Sequence, residues 1–223
     1  MDWEALRVSL WLAGSTAALL LPAAVVLARW LAYSERRWKM LVEASLALPL
    51  VLPPTVLGFY LLNGMGAASP LGAFYQQLVG RPLAFSFAGL LAASIVFNIP
   101  FAVLPMQRAF ASIPADVLDA AKACGLTRWR TLWRIELPLA WPGVLTAAIM
   151  TAAHTLGEFG VVLMVGGSIP AETKTIAIAI YDRVQAFDMH AAGVMSATLL
   201  GISLATLLAS AWLGGPRRGS RVF

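Results

Sequence analysis

The chain has 223 residues, 60% of them hydrophobic and 12% charged, with a formal net charge of +5. A soluble domain has about 45–50% apolar and about 25% charged residues, so that class is excluded. Cys124 is the only cysteine, which leaves no internal disulfide and no cysteine-based metal site.

The apolar excess is gathered into runs long enough to cross a bilayer, which takes roughly 20 residues of helix. Five spans are expected, over residues 6–32, 41–62, 83–104, 140–164 and 191–213. The first run is too long for a removable signal peptide and lacks a small-residue cleavage site. The second carries Pro49, Pro53 and Pro54 within one crossing. Proline removes a backbone donor and crowds the preceding turn, and in lipid such a break survives only against protein or a water-filled cavity. Two readings fit: a kink packed against protein, or a broken helix beside a translocation path. Thr55 either bonds a freed carbonyl or faces that path. In the third span, Asn98 before Pro100 either bonds a neighbouring helix or lines the path.

The third connection, Ser112 to Gly143, has its own internal order. Ser112 and Pro114 give a helix start, with Asp116 favourable at the positive helix end. Val117, Leu118, Ala121 and Cys124 recur at helical spacing on one face, with Asp116, Asp119 and Lys122 on the other. Gly125 follows where a left-handed stop is expected. Thr127 caps a second helix, with Trp129, Leu132 and Trp133 on its apolar side, expected to stop at Pro138. Two short amphipathic helices at an angle make a docking knob.

In the fourth span His154 and Glu158 are four apart, hence expected on one helix face. Ionisable residues within a span are costly and often functional, so either both belong to the path and its outer gate, or Glu158 is an interfacial residue and His154 a buried hydrogen-bonding partner. Gly157 and Gly160 permit close helix approach there. The only other histidine is His190, so no metal site is expected. Residues 168–190 hold an apolar stretch too short to span, Thr175–Tyr181, with Lys174 and Arg183 at its ends. A short outer or re-entrant helix is expected; a sixth span is the alternative.

Basic residues concentrate on cytoplasmic connections. Arg29, Arg36, Arg37 and Lys39 flank the first connection, Arg108, Lys122, Arg128, Arg130 and Arg134 fill the third, and Arg217, Arg218 and Arg221 end the chain. These are twelve of the sixteen basic residues, on alternate connections, which is self-consistent only for an odd number of spans. The amino terminus is therefore expected outside and the carboxyl terminus inside. The positive charge is topological and needs no nucleic acid. Trp3, Trp11, Trp30, Trp38, Trp141 and Trp212 near span ends suit aromatic belts. There is no GxxxxGK[ST] phosphate loop and no nucleophile–base arrangement, so no catalytic residue is assigned.

The third connection resembles the cytoplasmic signature of binding-protein-dependent ABC importer permeases: Glu-Ala-Ala, three residues, Gly, nine residues, Ile, one residue, Leu-Pro. Asp119-Ala120-Ala121, Gly125, Ile135, Leu137 and Pro138 match every fixed position, with Asp for Glu at the first. Leu48–Leu62 and Leu156–Asp182 resemble the molybdate branch; the related sulfate and thiosulfate permeases share the GEFG element, and Ile169–Ile176 is closer to the molybdate branch. The resemblance covers nearly the whole chain from the second span onward.

It implies an all-α integral membrane protein of the type I importer permease fold, one transmembrane domain with a coupling loop at about 112–138. Asp119, Ala120, Ala121 and Gly125, with Leu126, Arg128, Ile135, Leu137 and Pro138, would dock an ATPase. Implied partners are a second copy of the chain, two cytoplasmic ATP-binding subunits and an external molybdate-binding protein. ATP and Mg would be held by the ATPase, leaving no cofactor in this chain, and the location would be a bacterial-type inner membrane. Pro53, Pro54, Thr55, Asn98, His154 and Glu158 are the expected path or gate residues. The alternatives are a sulfate, thiosulfate or tungstate permease, or a proton-coupled carrier with Glu158 and His154 as relay.

Overall fold

The computed structural model describes residues 1–214, so Arg217, Arg218 and Arg221 lie outside the described part. Helices make up the regular structure of those residues. Helix α1 (Trp3–Tyr33) opens with Asp2, whose carboxylate accepts from the Ala5 N–H at 3.0 Å. Helices α2 (Lys39–Val51) and α3 (Pro54–Met65) meet at a bend of 110°. The cause is local: Pro53 and Pro54 donate no backbone hydrogen bond, and Leu52 and Pro53 are extended, with ψ of 137° and 135°. The short α4 (Pro70–Val79) leads to α5 (Phe87–Ala111), which carries Pro100 and Pro105.

Next comes α6 (Ala115–Ala123), then a rod made of α7 (Arg128–Thr131), a π-helical turn (Leu132–Glu136) and α8 (Leu137–Gly157). The second helix of the loop therefore does not stop at Pro138, contrary to the expectation; the rod is continuous from Arg128 to Gly157. The Leu137 N–H bonds to the Leu132 carbonyl, five residues back. That wider turn just before Pro138 lets its ring enter the rod without ending it. Short helices α9 (Gly160–Gly166) and α10 (Ile176–Gln185) precede α11 (Met189–Gly214). Helix α10 is the expected short helix rather than a sixth span.

Among the described residues, four helices are long and apolar enough to cross a membrane, or five if the bent α2–α3 pair is one span. Contacts settle how that pair runs. Glu43 in α2 accepts from Gln107 Nε2 at 2.6 Å, near the end of α5 where the connection to α6 departs. Met65, the last residue of α3, packs with Leu83, Ala84 and Val165, and the Phe85 N–H bonds to the Val165 carbonyl at 2.9 Å, beside the other end of α5. The broken pair thus carries the chain from one end of the bundle to the other. Counted in this way, the described residues hold up to five passages.

The main core lies where α1, α5 and α8 pack together. It joins Leu20, Ala24, Ala28 and Leu31 to Ala102, Val103, Met106 and Phe110, and reaches Ile113 and Leu132 in the connection. At the other end, Ala5 and Leu6 meet Ile176, Ala179 and Met195. Lipid tails are as apolar as leucine, so this packing is held by close fit and hydrogen bonds rather than by expulsion of water.

Candidate functional site

Two places carry the residues singled out by sequence. The first is the knob between α5 and α8. Helix α6 turns Val117, Leu118 and Ala121 inward; Val117 and Leu118 pack on the main core and Ala121 is buried. Asp116, Asp119, Ala120, Lys122, Ala123 and Cys124 are exposed. Asp119 and Lys122 pair with each other at 2.8 Å in the open. Cys124 is the C-cap and exposed, a correction to its expected place on the apolar face; the helix ends there, before it can turn inward.

The stop at Gly125 is a Schellman motif. The Leu126 N–H bonds to the Ala121 carbonyl at 3.1 Å and the Gly125 N–H to the Lys122 carbonyl at 2.9 Å. Gly125 has φ +72° and open space around its Cα, so a side chain there meets no atom but strains the backbone. Thr127 caps the rod, accepting from the Arg130 N–H at 3.4 Å. Trp129 and Trp133 are exposed, edge to face at 5.7 Å, beside exposed Arg128, Arg130 and Arg134. Leu126, Ile135 and Leu137 are half-buried, and Pro138 is exposed.

The second place is the middle of the bundle. Thr16 donates to Ser94 Oγ at 2.9 Å, and Asn98 Nδ2 donates to the Ser94 carbonyl at 2.8 Å. With Nδ2 so committed, Asn98 Oδ1 is left to accept from His154 Nδ1 at 3.1 Å. The imidazole lies over Phe101, centroids 3.9 Å apart, and near Phe97 at 4.8 Å. Asn98 is wholly buried. These groups tie α1, α5 and α8 together, the helix-bonding alternative expected for Asn98 and His154.

Glu158 corrects a second expectation. Helix α8 ends at Gly157, and Glu158 is extended with ψ 130°. It therefore shares no helix face with His154. Its Oε1 accepts from the Val161 N–H at 2.9 Å and caps α9. The break lies against the other one: a Cβ on Gly160 would come within 2.8 Å of Pro54 Cβ. Pro53, Pro54 and Thr55 are exposed along this junction. Two broken helices thus meet through a glycine and a proline, where irregular backbone is tolerated only against protein or a cavity.

The sequence reading missed Arg29, Tyr33 and Glu136. Arg29 grips Glu136 through Nε at 2.5 Å and Nη2 at 2.8 Å, and Glu136 is 1% exposed. The available signal was Glu136 itself, a lone acid among apolar neighbours. No group of three metal-binding side chains occurs among the described residues.

Residues 21–214 match the family described as "Binding-protein-dependent transport system inner membrane component". The "Molybdenum transport system permease protein ModB" of Azotobacter vinelandii is 45% identical over 208 residues, covering 93% of this chain and 92% of that protein. A "Probable sulfate transport system permease protein cysT" of Chlorokybus atmophyticus is 29% identical over 74% of this chain and 58% of that protein. Among solved structures, a bacterial ABC transporter involved in the import of the acidic polysaccharide alginate superposes with a TM-score of 0.77 at 16% identity. That alignment covers 97% of this chain and 79% of the other, and shows a shared fold.

Proposed function

Because the chain belongs to the binding-protein-dependent transport system inner membrane components, we propose that it is the permease subunit of an ATP-driven molybdate importer. The observation that carries the reading is the knob: a nine-residue helix, ended by a left-handed glycine, held outside the bundle and rooted in its main core. A helix in that position gives a separate protein a rigid handle on the membrane part. Asp119, Ala120 and Gly125 are accessible to such a partner, with Leu126 and Arg128 beside them. Ala121, Ile135 and Leu137 act from beneath, seating the contact.

Two ATP-binding subunits close on ATP, with Mg, and displace the knobs of two copies of this chain. The helices rock, and the path opens alternately to an external molybdate-binding protein and to the cytoplasm. The knob faces the cytoplasm and the amino terminus lies outside, as the basic residues favour. Pro53, Pro54, Thr55 and Glu158 stand at the junction of the broken helices, where relative movement alters the passage. The chain itself performs no chemistry; hydrolysis belongs to the ATPase. Neither broken helix presents a cationic side chain at the junction, which suits a passage that must release a dianion.

The substrate assignment rests on the 45% identity to the molybdenum permease and on the Ile169–Ile176 segment. The test is reconstitution with the ATPase and binding protein in lipid, scoring ATP hydrolysis and uptake of molybdate, tungstate and sulfate. ATP-dependent uptake of molybdate in preference to sulfate is expected. Preference for sulfate would move the chain to the sulfate branch, and uptake without ATP would overturn the importer reading.

A further inference from the structure

We propose that Arg29, Tyr33 and Glu136 form a positioning clamp that fixes the knob to α1, so that a displacement of the knob reaches α1 without slack. Glu136 is the last residue of the π-helical turn, where the chain returns from the knob into the bundle. Both of its carboxylate oxygens are taken by one guanidinium, from Nε at 2.5 Å and Nη2 at 2.8 Å. One turn further along α1, the Tyr33 hydroxyl donates to the Phe110 carbonyl at 3.2 Å, in the last turn of α5, where the chain leaves for the knob. The guanidinium lies 5.7 Å from the centroid of the Tyr33 ring, so the two grips form one unit. The end of α1 thereby holds both roots of the knob.

The chemistry argues for positioning rather than for stability alone. A buried ion pair is often no more stabilising than apolar side chains of equal volume. The surrounding core of Leu31, Met106, Phe110 and Leu132 could supply those readily. A two-toothed guanidinium–carboxylate contact adds direction: it fixes rotation as well as distance. Apolar contact alone does not set that direction; this pair does. No other ion pair among the described residues has a partner buried to 2% side-chain exposure. The turn bearing Glu136 is also the one irregular turn of the rod, and the clamp holds that turn against α1.

The role in coupling rests on the ATPase docking proposed above; the fixing of the knob does not. Both are measured on the complete complex in lipid, carrying wild-type chain, Glu136→Gln, Arg29→Lys, the single reversals Arg29→Glu and Glu136→Arg, or the two reversals together. The readouts are molybdate ions imported per ATP hydrolysed and deuterium exchange of residues 112–127. Glu136→Gln should lower the import ratio at least five-fold while hydrolysis stays within two-fold of wild type, and should speed exchange of 112–127 at least five-fold. The reversed pair should recover at least a third of the wild-type ratio, where each single reversal does not. If Glu136→Gln fails to accumulate, Arg29→Lys keeps the charges but loses the two-toothed grip, and the same changes are expected of it.

Exchange that is no faster in the variant that accumulates, or a reversed pair no better than its singles, overturns the clamp. A wild-type complex without ATP-driven uptake overturns the docking reading instead, and the exchange arm still decides the clamp.

Discussion

The two ends of the α8 rod are built in opposite ways. Toward the knob the rod keeps its course through Pro138 by widening one turn, and a half-buried guanidinium on a buried carboxylate pins that turn to α1. Toward the other end, the same chain stops at Gly157, and α9 begins anew against the break between α2 and α3. One proline is absorbed without a break, while Pro53 and Pro54 produce a bend of 110°. The difference shows that proline alone does not decide continuity: before Pro138 the Leu137 N–H still reaches the Leu132 carbonyl, whereas Leu52 and Pro53 turn extended. On the proposed function, the stiff end receives force and the interrupted end yields to it.

The strongest way to break the comparison is at the knob itself. Gly125→Val places a β-branched residue at φ +72°, which costs about 1–2 kcal/mol locally, with no atom in the way. Uptake per ATP should fall at least ten-fold while the detergent melting temperature of the permease changes little; unchanged transport would remove the knob from the coupling route. At the interrupted end, Gly160→Val drives a side chain into Pro54, a misfit of about 1–3 kcal/mol. A lowered melting temperature together with impaired uptake is expected, and normal uptake would mean that this junction does not move.

The centre sharpens the contrast. Asn98→Leu leaves His154 Nδ1 without its partner and takes a second donor from the Ser94 carbonyl, for a loss of about 1–3 kcal/mol. If these groups only tie helices, uptake per folded complex stays within two-fold; a larger fall would return Asn98 to the path. The smallest effect is expected from Asp119→Asn. Its partner Lys122 is exposed, and such pairs contribute about 0–1 kcal/mol. Stability should not change measurably, so any fall in ATPase binding would report docking directly. Labelling of Cys124 by a membrane-impermeant maleimide adds a check on orientation: reaction only from the cytoplasmic side, slowed by bound ATPase, is expected from its exposure.

What the sequence disclosed follows a physical division. Gly125, Thr127 and the Pro53–Pro54 break are legible because left-handed stops, caps and missing donors act within a few residues. The broken second span and the short α10 follow from the same local rules. The end of α8 was not legible, since residues 140–164 are apolar enough for one uninterrupted span and nothing local forces Glu158 out of the helix. Its carboxylate caps a new helix that packs against both α3 and α5, elements distant in sequence. Continuation through Pro138 was hidden for a like reason: widening a turn is favourable only when the bundle holds both sides. The clamp joins residues 107 apart in sequence, and Arg29 had a sufficient explanation in the charge pattern of the membrane.

The π-helical turn also sets an angle. Such a turn holds one more residue than the helix around it, and each residue of an α-helix turns the chain by about 100°. Everything before Leu132, exposed Trp129 included, therefore faces a direction fixed by a single residue of extra length. Deleting one residue from Leu132–Glu136 would straighten the rod, leave its apolar body intact, and swing the knob's entry by about that angle. The orientation of this handle is thus counted in residues, as the phase of a screw thread is.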